Sequence, residues 1–330
     1  MMKRKGSSNE QILRLLKDAQ GSVSGEIIAR ELNISRAAVW KQICWLRKEG
    51  FNIHAQPKLG YRLVSQPDKL TPMEVREGLK TFIMGKEVSY HPKTESTNVI
   101  AKNIAMEGAV EGTLVIAEEQ TKGRGRLNRN WRSSPGKDIL MSLIFRPDIQ
   151  AQRVFPLTML TSLAIVKAVT GVTGLTPQIK WPNDIYVDNR KLGGILMEFS
   201  AEQDRVNYVV VGVGLNVNSS PSNHPEIGDI AVSIKEVLGK EIPRIELLRP
   251  ILEEIEKGYN YLRQGKVSTI RSEWNTYSLV TGKPVRIISF GTVEEGIAEY
   301  VDGDGCLVIR DGEGRRKRIL SGDVSLRIDT

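Results

Sequence analysis

Two clusters of residues in this chain have types and spacings suited to chemistry. The first is Gln120-Thr121-Lys122-Gly123-Arg124-Gly125-Arg126-Leu127-Asn128-Arg129-Asn130-Trp131. Glycines alternating with arginines give a pliant backbone with exposed amides and two guanidinium forks that match phosphate oxygens. Such a loop can fold over an anion and shield it from water; a mobile basic surface turn is the plain alternative. The second cluster is Lys180-Trp181-Pro182-Asn183-Asp184-Ile185-Tyr186-Val187, followed by Arg190-Lys191-Leu192-Gly193-Gly194-Ile195-Leu196. A lysine placed just before Trp-Pro at a strand start has rigid neighbours, because proline restricts the residue that precedes it. A fixed ammonium there can neutralise charge growing on a phosphoryl oxygen or a carboxylate. Asn183-Asp184 reads as a tight turn that could anchor the lysine or a Mg2+; a structural Trp-Pro corner beside a loop lysine is the alternative.

Other chemistries lack their residues. His54, His91 and His224 lie far apart, without metal-ligand spacing, so no dedicated protein metal site is expected. There is no G-x-S-x-G elbow, and no Gly-Lys pair is followed by Ser or Thr as a P-loop requires. Cys44 and Cys306 fall in segments that read as separate domains, so no disulfide framework is expected and a reducing, cytoplasmic setting fits. No apolar run approaches the roughly 18 residues needed to cross a bilayer, and the charged start is no signal peptide.

The elements around these clusters read as three domains within 330 residues. Residues 1–66 hold twelve Lys/Arg and five Asp/Glu, a net of +7, whereas residues 67–330 net +1. A basic excess confined to one end is the footprint of a module that meets a polyanion. The period predicts helices over 10–19, 25–32 and 36–49, with Ser24 and Ser35 as N-caps, Asn33 in a left-handed turn and Gly50 at the end. Val39, Ile43 and Leu46 make the buried stripe of the third helix, and Arg36, Trp40, Lys41 and Arg47 fall largely elsewhere. Two helices joined by so short a turn are a helix-turn-helix. Strands at 51–53 and 61–64 around Gln56-Pro57-Lys58-Leu59-Gly60 make a wing, whose Lys58 and Arg62 could reach phosphates.

Residues 65–71 read as a linker and 73–84 as a short helix. Strands at 114–117, 140–145, 185–187, 194–199 and 208–214, with helices at 97–107, 155–170 and 244–262, predict a mixed α/β domain. Consecutive strands with few helices between them argue for a partly antiparallel sheet. From about 277, short strands at 285–288, 294–301, 306–309, 316–320 and 324–328 alternate with Asp-Gly turns, which suggests a small barrel.

These motifs resemble the biotin–protein ligases of the bifunctional repressor type. The resemblance rests on Ser96-Thr97-Asn98, Gly123-Arg124-Gly125-Arg126 with Trp131, Lys180-Trp181-Pro182-Asn183-Asp184, Lys191-Leu192-Gly193-Gly194-Ile195-Leu196 and Gly212-Val213-Gly214-Leu215-Asn216. The run from Gly25 to Cys44 extends it to the front, and the last strands extend it to the end. It implies an α+β chain: a winged helix-turn-helix over 1–66, a biotin/lipoyl ligase-like domain over 67–276 and an SH3-like barrel over 277–330.

It also implies a reaction: biotin and Mg·ATP give biotinyl-5'-AMP and pyrophosphate, then a lysine of a biotin carboxyl carrier protein takes the biotin. Lys180, Arg124 and Arg126 are the implied catalytic cations, because attack by a carboxylate on a phosphate is opposed by like charge. Ser96, Thr97, Gln120 and, less firmly, Asn98 would bond the ureido head, whose donors and acceptors suit hydroxyls and an amide. Gly125, Trp131 and Asn183 would complete the adenylate site, and Gly193, Gly194, Gly212 and Gly214 would let backbone approach the ligand. Ser96-Thr97-Asn98 also reads as a plain helix N-cap. Residues 216–240 contain no Phe, Tyr or Trp, so either aliphatics such as Ile230 and Val232 would pack adenine or it would be ordered differently. Ser35, Arg36, Trp40, Lys41, Lys58 and Arg62 would meet operator DNA as part of a homodimer promoted by the adenylate. A lipoate ligase on a related fold, and a regulator whose ligase domain only senses ligand, are the rival readings.

Overall fold

The computed structural model describes residues 8–19, 21–289, 292–320 and 322–326. The chain divides into two compact units, Met1–Asp68 and Lys69–Thr330.

In the first unit, helices α1 (Ser8–Asp18), α2 (Gly25–Leu32) and α3 (Arg36–Lys48) precede the hairpin β1 (Asn52–Gln56) and β2 (Gly60–Ser65). Ser24 and Ser35 accept from the amides of Ile27 and Ala38, both at 3.1 Å, which satisfies donors that a helix start leaves open. Asn33 turns the chain at φ 54°. Ile12, Leu16, Ile28, Val39, Ile43 and Leu46 fill the core. The wing is pinned to the segment before α2 by reciprocal bonds between Val23 and Tyr61, at 2.8 Å each. Arg47 is spent on structure: its guanidinium donates twice to the Ile53 carbonyl.

The second unit opens with α4 (Pro72–Arg76), capped by Thr71. The helix expected over 73–84 stops here. Gly78 sits at φ 72°, and the amides of Phe82, Ile83 and Met84 turn instead to the Glu256 carboxylate. Next come β3 (Val88–His91), α5 (Thr97–Met106), β4 (Leu114–Ala117), the two-residue strands β5 (Gly123–Arg124) and β6 (Asn130–Trp131), β7 (Ile139–Phe145) and α6 (Pro156–Thr173). Then follow β8 (Gln178–Lys180), β9 (Asp184–Val187), β10 (Arg190–Glu202), β11 (Arg205–Leu215), α7 (Ile234–Leu238), α8 (Arg244–Arg263) and α9 (Val267–Thr276). The main sheet runs β3-β4-β7-β11-β10-β9-β8, antiparallel throughout except for β3 beside β4.

The two-residue period of its strands sends side chains to two cores. Leu114, Ile116, Leu143, Phe145, Val209 and Val211 join the large core under α6 and α8. Val115, Ile144 and Val210 pack under Ala101 and Ala105 of α5 on the other face. Helix α6 is apolar enough to span a bilayer by length and composition, yet most of it is buried between sheet and helices.

The chain ends in β12 (Pro284–Ser289), β13 (Thr292–Val301), β14 (Leu307–Arg310), β15 (Arg316–Ile319) and β16 (Asp323–Leu326), a five-stranded antiparallel sheet in the order β15-β14-β13-β12-β16. The outer end of the last expected strand, residues 327–328, lies outside the described residues. This sheet packs into the second unit. Trp181 Nε1 donates to the Gly305 carbonyl at 2.9 Å, and a Cβ on Gly305 would stand 1.8 Å from the Phe155 ring.

Candidate active site

A cavity of about 1320 Å3 opens on the α5 face of the main sheet, at the N-terminal end of that helix. The strand period explains its floor. Val210, Gly212 and Gly214 share one face of β11, and their partners Ile144, Ser142 and Leu140 on β7 share it too. Where α5 covers this face the residues are Val210 and Ile144; further along, glycines leave room.

Ser96, Thr97, Asn98, Gln120, Arg124, Gly125, Arg126, Trp131, Lys180, Asn183, Gly194, Gly212 and Gly214 all line this cavity, so both sequence clusters meet there. Gly193 does not. Alternation turns it to the opposite face, where an added Cβ would stand 3.0 Å from the Gly214 carbonyl. The glycines that do line the cavity make room for side chains as well. A Cβ on Gly212 would lie 2.0 Å from Asn98 Oδ1, and one on Gly214 would lie 2.4 Å from the Trp131 ring.

One wall is a network of polar side chains. Ser96 stands at the N-cap of α5 without making the expected side-chain cap. Gln120 Oε1 takes that place, accepting from the Thr97 amide at 2.7 Å and from Thr97 Oγ1 at 3.1 Å. Ser142 Oγ lies 2.8 Å from Thr97 Oγ1 and donates to Asn98 Oδ1 at 2.6 Å. Asn98 Nδ2 donates to Glu198 at 2.8 Å, and Lys102 pairs with the same carboxylate at 2.6 Å. Burial opposes charge on Glu198, but bonds from Lys102 and Asn98 hold its carboxyl below the ordinary value. Ser142 and Glu198 are not legible in the sequence, because only the sheet brings them to Asn98; Lys102 stands one helical turn after Asn98 on α5.

The opposite wall is the loop between β5 and β6. Gly125 N donates to the Arg129 carbonyl at 2.7 Å, which closes a turn with Leu127 at φ 54°. Arg126 reaches Asn183 Oδ1 at 3.1 Å, so this loop touches the turn after β8. The Arg124 side chain is exposed, in no hydrogen bond or ion pair among the described residues. Trp131 lies over Gly214, with Lys191 Nζ 5.7 Å from its ring centroid, and its Nε1 is buried without a partner among the described residues.

Lys180 stands at the end of β8, not at a strand start, and the Trp181-Pro182 bond that follows is cis. Its Nζ lies 3.4 Å from Tyr186 Oη and 4.9 Å from that ring's centroid. Burial, then the charge of Asp184, pushes the Tyr186 phenol up to about 12, so it stays neutral beside the ammonium. Lys180 stands opposite Asp184 in the β8–β9 register, and the side chains of the turn make further bonds. Asn183 Nδ2 donates to the Ile195 carbonyl at 2.7 Å, and Asp184 pairs with Lys191 at 2.8 Å. Ile230 lines the cavity, whereas Val232 is fully buried and belongs to the core.

In the first unit, Arg36, Trp40 and Lys41 are exposed on α3, as are Lys58 and Arg62 on the wing, while Val39, Ile43 and Leu46 face inward.

Comparison with known proteins agrees with this geometry. Residues 90–216 match the biotin/lipoate A/B protein ligase family, residues 9–62 an HTH domain and residues 280–327 the biotin protein ligase C terminal domain. The bifunctional ligase/repressor BirA of Bacillus subtilis is 42% identical over 306 residues, 92% of this chain and 94% of the relative. The Escherichia coli protein of that name is 27% identical over 92% of each chain. The biotin protein ligase from Aquifex aeolicus, solved in complex with biotin and ATP, superposes with a TM-score of 0.63 at 28% identity, over 74% of this chain and all of that one. With family matches in the expected order and a relative this similar over nearly its whole length, this chain belongs to the bifunctional biotin ligase/repressor family.

Proposed function

We infer that this protein joins biotin to AMP at the expense of ATP, transfers it to a lysine of a carboxyl carrier protein, and represses transcription through its N-terminal unit. One observation carries the ligase reading: the polar network at Ser96–Asn98 and the cations Lys180, Arg124 and Arg126 line a single cavity. The network offers hydroxyls and an amide to the ureido head. Lys180 neutralises the biotin carboxylate and the α-phosphate oxygens as the carboxylate oxygen attacks phosphorus and pyrophosphate leaves. Arg124 and Arg126 bind phosphate oxygens, and the loop that bears them keeps water from the mixed anhydride. The amine of the carrier lysine then attacks the acyl carbon, and AMP departs. Mg2+ enters with ATP; among the described residues no group of three His, Cys, Asp or Glu side chains could hold a metal.

Mixing the protein with biotin and ATP releases pyrophosphate if this is right. No release leaves the reading of a regulator that only senses ligand. Lipoylation without biotinylation, when both acids are offered, replaces biotin with lipoate.

The repressor reading is supported by the exposed basic residues of α3 and the wing, and by the HTH match. One winged module covers little DNA, so a homodimer on a two-fold operator is the form that binds. The adenylate acts as corepressor by binding the dimer-competent form more tightly. Deletion of residues 1–66 abolishes operator binding and spares much of the ligation; an equal gel-shift affinity for the truncated protein removes the DNA-binding role.

A further inference from the structure

Arg244 is wholly buried at the first position of α8. That end of a helix repels a cation, because its open N–H groups make it positive. A neutralising partner is therefore required, and Glu118, at the end of β4, supplies it: Arg244 Nη2 donates to Glu118 Oε2 at 2.7 Å. Arg244 Nη1 donates to the Asp138 carbonyl at 3.0 Å. The other oxygen of Glu118 accepts the Leu70 amide at 2.9 Å, just past the boundary between the two units. One ion pair therefore ties the segment entering the second unit to the loop before β7.

That loop is a wall of the cavity. Asp138 accepts the amides of Ser134 at 3.2 Å and Val217 at 3.0 Å, and Gly136 N donates to the Glu118 carbonyl at 2.9 Å. Ser133, Ser134, Asp138 and Ser219 line the cavity, whereas Glu118 and Arg244 do not touch it. Ser133 Oγ is buried there without a partner among the described residues. With the ureido head at Ser96–Asn98 and the phosphates at the cations, this wall and the segment with Ile227 and Ile230 are left for the nucleoside.

We propose that Glu118 and Arg244 are positioning residues for the nucleotide end of the cavity, and that the same pair fastens the residues entering the ligase unit, so that loading the cavity tightens that segment. The inference rests on the adenylation reading above. A guanidinium fork holds its bonds in a fixed plane, so a shift of the Asp138 carbonyl is passed to Glu118 and from there to the Leu70 amide.

The test uses the full chain carrying Glu118→Leu with Arg244→Met, which removes both charges of the ion pair together; Asp138, whose buried carboxylate also faces Arg244, keeps its bonds from the Ser134 and Val217 amides. The single Arg244→Lys variant is the conservative control. In the double variant the KM for ATP rises roughly ten- to a hundred-fold, the range a displaced positioning group produces, while the KM for biotin stays within about twofold. Arg244→Lys lies between it and the wild type. Hydrogen exchange over residues 69–75 slows on adding biotin and ATP to the wild type, and that change is lost in the double variant. Equal movement of both KM values, or an unaltered ATP KM with exchange like that of the wild type, overturns the proposal. Should the wild type release no pyrophosphate, the ligase reading falls by itself. Exchange at Leu70 without ligand still judges the fastening: faster in the double variant supports it, unchanged overturns it.

Discussion

The two long walls of the cavity are built on opposite plans. On one, Thr97, Asn98 and Ser142 are buried and bonded to one another, and through Glu198 to Lys102. On the other, residues 123–131 form two strands of two residues each around a turn whose Leu127 is 71% exposed, and the Arg124 side chain makes no hydrogen bond or ion pair among the described residues. The first wall has its order before any ligand arrives, so binding there costs little conformational entropy. The second is held by bonds within its own turn and by Arg126 on Asn183, with its tip exposed, an arrangement suited to a segment that closes over a reactive intermediate. Recognition and chemistry thus draw on different kinds of structure in one site. Lys180 joins neither plan: it ends a strand of the main sheet and is held beside a neutral phenol.

That division predicts effects of different kind and size. The largest falls on the fixed cation. Lys180→Ala lowers the single-turnover rate of adenylation by roughly a hundred- to a thousandfold, as loss of a preorganised charge partner does, with an unchanged thermal midpoint. An unaltered rate removes Lys180 from the reaction. The next falls on the ordered wall. Gly212→Ala places a Cβ where Asn98 Oδ1 now lies, so Asn98 must leave its partners. Leaving such a buried group unpaired costs about 1–3 kcal/mol, which weakens biotin binding roughly 5- to 150-fold in calorimetry. Normal affinity would mean that the network contributes nothing to recognition.

The loop wall responds differently. Arg124→Ala leaves biotin affinity within about twofold and slows adenylation roughly tenfold, because the guanidinium meets its ligand only as phosphate charge is redistributed. Its signature is leakage: more adenylate appears free in solution per biotin transferred, by chromatography of the quenched reaction. Loss of biotin affinity equal to that of Gly212→Ala would erase the distinction between the walls.

How much of this was legible follows from the range of the forces involved. Local signals were read correctly where a few neighbours decide the outcome: Ser24 and Ser35 as caps, Asn33 in a left-handed turn, and Leu114–Ala117 as a strand. The helix expected over 73–84 failed because Glu256, more than 170 residues away, captures the amides of residues 82–84. Strand β8 is three residues long and leaves almost no periodic trace, so the local pattern puts Lys180 at a strand start whereas it stands at a strand end. Within the site, the motif residues were visible as motifs, but their partners were not. Ser142 meets Asn98 only because β7 and β11 pair with Ser142 opposite Gly212, and no local pattern encodes that register. The Gly193-Gly194 pair reads as one signal, yet strand alternation sends one glycine to the cavity and the other away from it.

The smallest expected effect concerns Glu198, the carboxylate behind the ordered wall. Its folded pKa lies below the ordinary value of 4.5, because bonds from Lys102 and Asn98 outweigh the cost of its burial. A carboxyl depressed on folding adds stability that is fully present above the unfolded pKa and fades as pH falls through the folded one. Glu198→Gln removes that contribution. The pair with Lys102 is partly exposed and screened, so the loss at neutral pH stays below about 1 kcal/mol. The difference in thermal midpoint between wild type and Glu198→Gln is therefore small and constant from neutral pH down to about 4.5, and shrinks below that. Biotin affinity falls in the same acid range, since protonation weakens the acceptor that holds Asn98 Nδ2. A midpoint difference that grows as pH falls would take Glu198 out of the network, and would leave Asn98 to be held by Ser142 and the Leu196 carbonyl alone.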